Sequence, residues 1–180
     1  GAQASVVVDI GGGSVEITLG TAARMQVGRS FKIGVIRLTE RFVKSDPISR
    51  DDESRIERYV RRQTNVHIRA LKARGFRRVI GTSGTIHALG AMATGTAGDL
   101  RNRRVTTKQL HRLRKALAAM TLEERLALPG LDPRRADVTV AGAVLLDTLL
   151  ASLETPDLTL CDFALREGLS LGYGARPTYR

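Results

Sequence analysis

Apolar and polar positions alternate at the start of the chain and later change period. Ser5-Val6-Val7-Val8-Asp9-Ile10 is β-branched and almost wholly apolar, which predicts a buried strand. Gly11-Gly12-Gly13-Ser14 reads as a tight turn, and Val15-Glu16-Ile17-Thr18-Leu19 alternates strictly, as a half-buried second strand does. A third strand is expected over residues 25–33, so the chain opens as a β-meander. The period then becomes helical. A short amphipathic helix is expected over 35–42, ending before Asp46-Pro47. Ser49 is a good N-cap, and Asp51, Asp52 and Glu53 favour the positive end of the helix dipole. Ile56, Tyr59, Val60, Val66, Ala70 and Leu71 recur at helical spacing before Gly75 closes this long helix.

The second half reads as helices punctuated by single strands. Residues 77–81 are strand-like and lead through Thr82-Ser83-Gly84-Thr85 into a small-residue helix over 86–93. Thr106 or Thr107 caps a helix reaching Met120, and Thr121-Leu122-Glu123-Glu124 is close to a full capping box. Asp132-Pro133 is expected to start a long apolar helix through Leu153, with Pro at its first position. Residues 158–161 form a last strand and 165–172 a last helix. The class is mixed α/β, without internal repeats.

Composition narrows the picture. The 180 residues suit one domain, or two small lobes at most, and can bury about 70% of the unfolded surface, so neither disulfides nor a metal is needed for folding. Aromatics are only 4%, so the core must be aliphatic. The lone Cys161 excludes an intrachain disulfide framework and a cysteine-based zinc site, and a reducing cytoplasm is the expected compartment. Apolar runs such as 138–146 stop short of the ~18 residues of a membrane span, and no signal segment opens the chain. Methionines occur only at 25, 92 and 120, and the chain opens on Gly1, so we expect it to be a piece of something longer.

Asp9-Ile10-Gly11-Gly12-Gly13-Ser14-Val15-Glu16 is the strongest chemical signal. Three glycines allow close backbone approach and positive φ, and consecutive N–H groups in such a turn can cradle phosphate. Asp9 ends one strand and Glu16 begins the next, so both carboxylates can face the turn. Paired carboxylates beside a phosphate suit Mg²⁺. A dinucleotide fingerprint would need Gly at 16 and a helix after the turn, and a P-loop would need Gly-Lys-Ser/Thr; neither is present. Gly81-Thr82-Ser83-Gly84-Thr85, between a strand and a helix, is a second loop able to hold an anion on helix N–H groups, or simply a helix cap. It lacks the final Gly of a nucleophile elbow. His67, His87 and His111 stand at no metal or triad spacing and read as surface or core residues.

Lys+Arg number 29 against 18 Asp+Glu, a net charge of +11. Much of this is solvated helix face, but the excess favours a polyanionic partner. Scarce aromatics and the absence of a recognisable nucleic-acid motif disfavour DNA or RNA, whereas a chain of phosphates needs no stacking platform.

The strand–Asp9-Ile10-Gly11-Gly12-Gly13-Ser14-x-Glu16–strand unit resembles the second phosphate-binding hairpin of the acetate-kinase, sugar-kinase, Hsp70 and actin superfamily. Gly34-Val35-Ile36-Arg37-Leu38-Thr39-Glu40-Arg41-Phe42, Gly81-Thr82-Ser83-Gly84-Thr85, Leu128-Pro129-Gly130-Leu131, Arg135-Ala136-Asp137 and Ala164-Leu165-Arg166-Glu167-Gly168 then follow in an order that resembles the exopolyphosphatase / guanosine pentaphosphate phosphohydrolase (Ppx/GppA) family. Cys161 and Phe163 stand where Ser and Gly are common in that family.

The resemblance implies an RNase H-like lobe, a mixed sheet with flanking helices. It also implies release of terminal phosphate from polyphosphate or guanosine pentaphosphate, dependent on Mg²⁺ or Mn²⁺. By position, Asp9 and Glu16 match the metal-holding carboxylates; Gly11, Gly12, Gly13 and Ser14 match the phosphate cradle; Gly84 and Thr85 match the second loop. Lys32, Arg37 and Arg166 are candidate polyanion contacts. Only one Asp-x-Gly-Gly-Gly turn is present, so residues 1–180 are expected to be a single C-terminal lobe. The water-positioning Glu is then expected on an N-terminal lobe, and copies of an isolated lobe could self-associate through the exposed cleft face. The rival readings are a stand-alone polyphosphate-binding module and, on charge alone, a basic nucleic-acid domain.

Overall fold

The computed structural model describes residues 4–21, 24–96, 100 and 102–161. The expected helix over 165–172, and with it Arg166, lies outside the described residues, as does Phe163. The elements in chain order are β1 (Ser5–Ile10), β2 (Val15–Gly20), β3 (Met25–Phe31), α1 (Val35–Phe42), α2 (Arg50–Arg74), β4 (Arg78–Thr82), α3 (Gly84–Thr94), β5 (Arg104–Thr106), α4 (Thr107–Ala119), α5 (Leu122–Leu126), α6 (Ala136–Leu153) and β6 (Asp157–Leu160). They build one mixed sheet in the order β3-β2-β1-β4-β6-β5. β1, β2 and β3 are an antiparallel meander, β4 and β6 run parallel to β1, and β5 returns antiparallel to β6.

Local chemistry sets most of these bounds. Ser49 Oγ accepts from Asp52 N at 3.1 Å to open α2, and Gly75, at φ 75°, closes it. Thr106 with Gln109 and Thr121 with Glu124 both form complete capping boxes, so Thr106 rather than Thr107 is the cap of α4. Two elements depart from the sequence pattern. Arg104–Thr106 is a strand because β6 offers it a partner, not because its residues alternate. The Asp132 carboxylate caps a 3-10 turn over Pro133–Arg135, accepting from Arg134 N at 3.0 Å, so α6 begins at Ala136 instead of Pro133.

The buried face of the meander, Val6, Val8, Ile10, Ile17 and Leu19, shares one core with Ile56, Val60, Ile68 and Leu71 of α2 and with α6. α6 packs against α1, α2, α3, α4 and α5 and is buried on nearly every side. Over Pro133–Leu153 the chain is long and apolar enough to cross a membrane, but 72% of that stretch is buried inside the domain, where it serves as the central core helix. Gly142 lets α6 close on Val35 and Thr85, whose methyl carbons would lie 3.2 and 3.3 Å from an added Cβ. This contact holds α1, whose start bonds the glycine turn, and α3, which follows the second loop.

Candidate phosphate-binding site

Both loops lie at the C-terminal ends of the parallel pair β1 and β4, where open α/β sheets bind ligands. Ser30, Glu16, Asp9 and Thr82 are register partners across four adjacent strands, a row of polar residues on one face. Glu16 Oε1 accepts from Ser14 Oγ at 2.7 Å and from Ser30 Oγ at 2.6 Å, so its orientation is fixed. No described group hydrogen-bonds the Asp9 carboxylate. The Thr82 hydroxyl is buried and unpartnered.

The glycine turn is held from behind. Gly11 N donates to Ser14 O at 2.9 Å, while Val35 N donates to Gly11 O at 3.1 Å and Ile36 N to Gly12 O at 3.0 Å. Arg37 Nε donates to Gly13 O at 2.9 Å. The start of α1 and Arg37 therefore occupy the turn's carbonyls. The N–H groups of Gly12 and Gly13 have no described acceptor, and these are the groups an anion would take.

The expectation of positive φ is corrected: none of Gly11, Gly12 and Gly13 lies in the left-handed region. Close approach requires glycine at position 34, where a Cβ would lie only 2.3 Å from Gly12 O; a Cβ on Gly12 would meet Ile36 Cδ1, the end of a flexible side chain, at 2.8 Å. Gly34 is thus part of the turn's architecture, a role its distance along the chain conceals.

The second loop is tied to the first. Ser83, at φ 94°, accepts on Oγ from Ile86 N and from Ile10 N, each at 3.4 Å, so one side chain caps α3 and pins the end of β1. Gly84 and Thr85 occupy the first turn of α3, where N–H groups lack helical acceptors. The Arg135 guanidinium lies against Gly84, with Nη1 2.7 Å from the position of a Cβ there. Arg134 is paired with Asp132, but Arg135 has no carboxylate partner among the described residues. The Asp132 carboxylate feels the Arg135 charge but forms no ion pair with it, and a guanidinium beside a helix N-terminus is an anion-binding arrangement. Along the chain Arg135 stands only within a short motif, and nothing in local spacing links it to Gly84.

Of the other candidates, Arg37 meets the turn through its carbonyl, as above. Lys32 is exposed just after Phe31, the register partner of Val15, at the same end of the sheet. Each histidine is hydrogen-bonded within the fold. His67 Nε2 bonds Ile17 O at 2.9 Å in the core, and His87 Nε2 bonds Cys161 O at 2.8 Å. His111 Nδ1 bonds Asp147 at 2.9 Å. Asp147 also belongs to an ion cluster with Glu53, Glu57 and Arg114. Burial opposes the Arg114 charge, but its hydrogen bonds to Glu57, Asp147 and Glu53 outweigh this and raise the guanidinium pKa above its ordinary value.

Among the described residues no group of three or more His, Cys, Asp or Glu could hold a metal. The Asp9–Glu16 pair is an all-oxygen set of two carboxylates. That is too few to close a zinc-type shell, but it fits Mg²⁺ or Mn²⁺, whose remaining positions go to water and phosphate oxygens.

The profile of the Ppx/GppA phosphatase family matches residues 1–174. The chain belongs to this family. Among similar Ppx/GppA proteins, exopolyphosphatase 2 of Mycobacterium tuberculosis is 34% identical over 174 residues, which are 92% of this chain and 54% of that one. Exopolyphosphatase 1 of Mycobacterium leprae is 30% identical over 168 residues, 91% of this chain and 50% of that one. The solved structure of an exopolyphosphatase from Cytophaga hutchinsonii superposes with TM-score 0.86 at 31% identity, covering 97% of this chain and 59% of that one. An Aquifex aeolicus Ppx/GppA family member gives TM-score 0.87 at 25% identity, covering 100% and 59%. The chain spans about half the length of the curated Ppx/GppA relatives it matches. Its mixed six-stranded sheet with flanking helices is the RNase H-like fold of Ppx/GppA structures.

Proposed function

We propose that this chain is the phosphate- and metal-binding C-terminal lobe of an exopolyphosphatase-like hydrolase, which releases terminal phosphate from inorganic polyphosphate or guanosine pentaphosphate together with an N-terminal lobe. The observation that carries the reading is the pairing of two features at one end of the sheet. The Asp9–Glu16 carboxylates lie beneath a glycine turn with open N–H groups. The second loop, pinned to β1 by Ser83, brings the start of α3 and Arg135 alongside.

Asp9 and Glu16 would hold Mg²⁺ or Mn²⁺, which when bound neutralises charge on phosphate oxygens. Ser14 and Ser30 keep Glu16 oriented for this. The N–H groups of Gly12 and Gly13 bind oxygens of the phosphoryl group, and the start of α3 with Arg135 binds those of the neighbouring phosphate. These donors are fixed before substrate arrives, so they stabilise developing charge without reorganising. Water attacks the terminal phosphorus, a P–O bond to water forms, the anhydride P–O bond breaks, and the shortened chain leaves as a phosphate. The carboxylate that orients the water belongs to the N-terminal lobe.

The test uses two preparations. In the two-lobed enzyme, Asp9→Asn and Glu16→Gln abolish phosphate release, and full activity in both variants refutes the assignment. In the chain itself, calorimetry with tripolyphosphate shows metal-dependent binding that Arg135→Ala weakens about tenfold, the loss of one charge-assisted contact. Binding without turnover when both lobes are present would instead favour a stand-alone binding module.

A further inference from the structure

We infer that Thr82 is a positioning residue for the Asp9 carboxylate: its hydroxyl donates to Asp9 when that carboxylate holds a divalent cation. This rests on the proposed function of the Asp9–Glu16 pair. Thr82 ends β4 with 3% of its surface exposed, and its Oγ1 is buried without a hydrogen-bond partner among the described residues. Folded chains satisfy nearly all buried polar groups, because an unpaired one is costly, and each exception calls for a reason such as a bound ion or a role at a site.

Position names the partner. Val6 and Val8 of β1 pair in register with Val79 and Gly81 of β4, and the three valines are fully buried in the core. Strand alternation then puts Asp9 and its register partner Thr82 side by side on the opposite face. Across four strands the order is Ser30, Glu16, Asp9, Thr82, which is hydroxyl, carboxylate, carboxylate, hydroxyl. Ser30 Oγ already donates to Glu16 at 2.6 Å, whereas Asp9 has no described donor. Thr82 therefore stands to Asp9 as Ser30 stands to Glu16, with the bond not made. The neighbour on its other side is a poorer acceptor. Leu160 is the register partner of Gly81, so Cys161 comes next to Thr82, and a thiol accepts only weakly. A carboxylate can turn one oxygen to a cation while the other accepts from a hydroxyl. Adjacent strands lie about 4.8 Å apart, so rotation of the Asp9 side chain joins the two groups without moving either strand. The Thr82 hydroxyl needs no access to solvent for this. Such outer hydrogen bonds fix the orientation of metal ligands, and removing one costs about 10–100-fold in metal affinity.

The experiment titrates the chain with Mn²⁺ in the absence of substrate and follows free Mn²⁺ by electron paramagnetic resonance, so the readout is metal binding and not turnover. Thr82→Val is expected to weaken Mn²⁺ binding about tenfold. Thr82→Ser keeps the hydroxyl and is expected to bind like the unsubstituted chain. Urea unfolding without metal accompanies each variant. A Thr82→Val protein that is no less stable yet binds metal more weakly separates positioning from a structural role. Thr82→Ala removes the same hydroxyl and serves if the valine variant folds poorly. Mn²⁺ binding that is unchanged in Thr82→Val but lost in Asp9→Asn overturns the inference and leaves the Asp9–Glu16 reading in place. Equal weakening by Thr82→Val and Thr82→Ser also overturns it, since the shape of the side chain and not its hydroxyl would then matter. So does a loss of stability in metal-free Thr82→Val, because the hydroxyl is then satisfied within the fold. Mn²⁺ binding that Asp9→Asn does not change, or that the unsubstituted chain does not show, overturns both readings.

Discussion

Gly34→Ala and Gly12→Ala place the same methyl group on opposite sides of one contact, and they should differ sharply in cost. At Gly34 the new Cβ would fall 2.3 Å from Gly12 O, 2.4 Å from Gly12 C and 2.5 Å from Gly13 C. All three are backbone atoms, so relief requires moving the start of α1 off the turn. That movement forfeits the hydrogen bonds from Val35 N and Ile36 N to Gly11 O and Gly12 O, each worth about 1 kcal/mol. Residual overpacking adds about 1–3 kcal/mol. Because φ of −62° suits alanine, reduced unfolded-state entropy returns about 0.4–1 kcal/mol. The net loss is about 3 kcal/mol, a large share of a typical domain stability of roughly 5–15 kcal/mol.

At Gly12 the new Cβ meets Ile36 Cδ1 at 2.8 Å, the end of a side chain that is 48% exposed and free to rotate away. That substitution should cost less than about 1 kcal/mol. Urea unfolding followed by circular dichroism measures both, with unchanged m-values as the check that only native stability moved. Equal costs for the two variants would refute the claim that backbone approach, rather than glycine flexibility, explains these residues. Folded Gly34→Ala protein should also lose tripolyphosphate binding, because the turn has shifted.

Two further outcomes follow from side chains outside the glycine turn. Arg114→Met leaves Glu53, Glu57 and Asp147 without their shared cation and should destabilise by about 3 kcal/mol at neutral pH. Urea unfolding followed by circular dichroism measures the loss, and a cost below about 1 kcal/mol would count against the cluster as a stabilising element. Thr82→Val keeps the shape of a buried residue and removes a hydroxyl with no partner, so unfolding free energy should rise by about 1 kcal/mol; a clear loss would mean that the hydroxyl is satisfied.

The sequence exposes what is decided within a few residues. Ser49, Thr106 and Thr121 announce their helices because a cap and its acceptor lie three positions apart. The alternation in β1 and β2 anticipates that Asp9 and Glu16 share one face, since a four-residue turn between two strands leaves them opposite each other. What stays hidden depends on partners far along the chain. β5 exists through its pairing with β6, and Arg135 meets Gly84 only once α6 has packed beside α3. The three glycines mark the turn in the sequence, but its closest approach, Gly34 against the Gly12 and Gly13 backbone, joins residues that no local pattern links.

The bond from Val35 N to Gly11 O closes the polypeptide into a ring that contains β2 and β3, with the turn at the point of closure. Such a ring can change size without disturbing its junction. Residues inserted between Gly20 and Met25, at the end of the hairpin away from the turn, lengthen the ring but leave Gly34 seated on Gly12. One residue inserted between Phe31 and Gly34 would instead push Gly34 past its seat and detach α1. Tolerance to length variation is therefore sharply uneven along this hairpin, and its far end is where a tag or a fused domain can be accommodated while the turn stays in place.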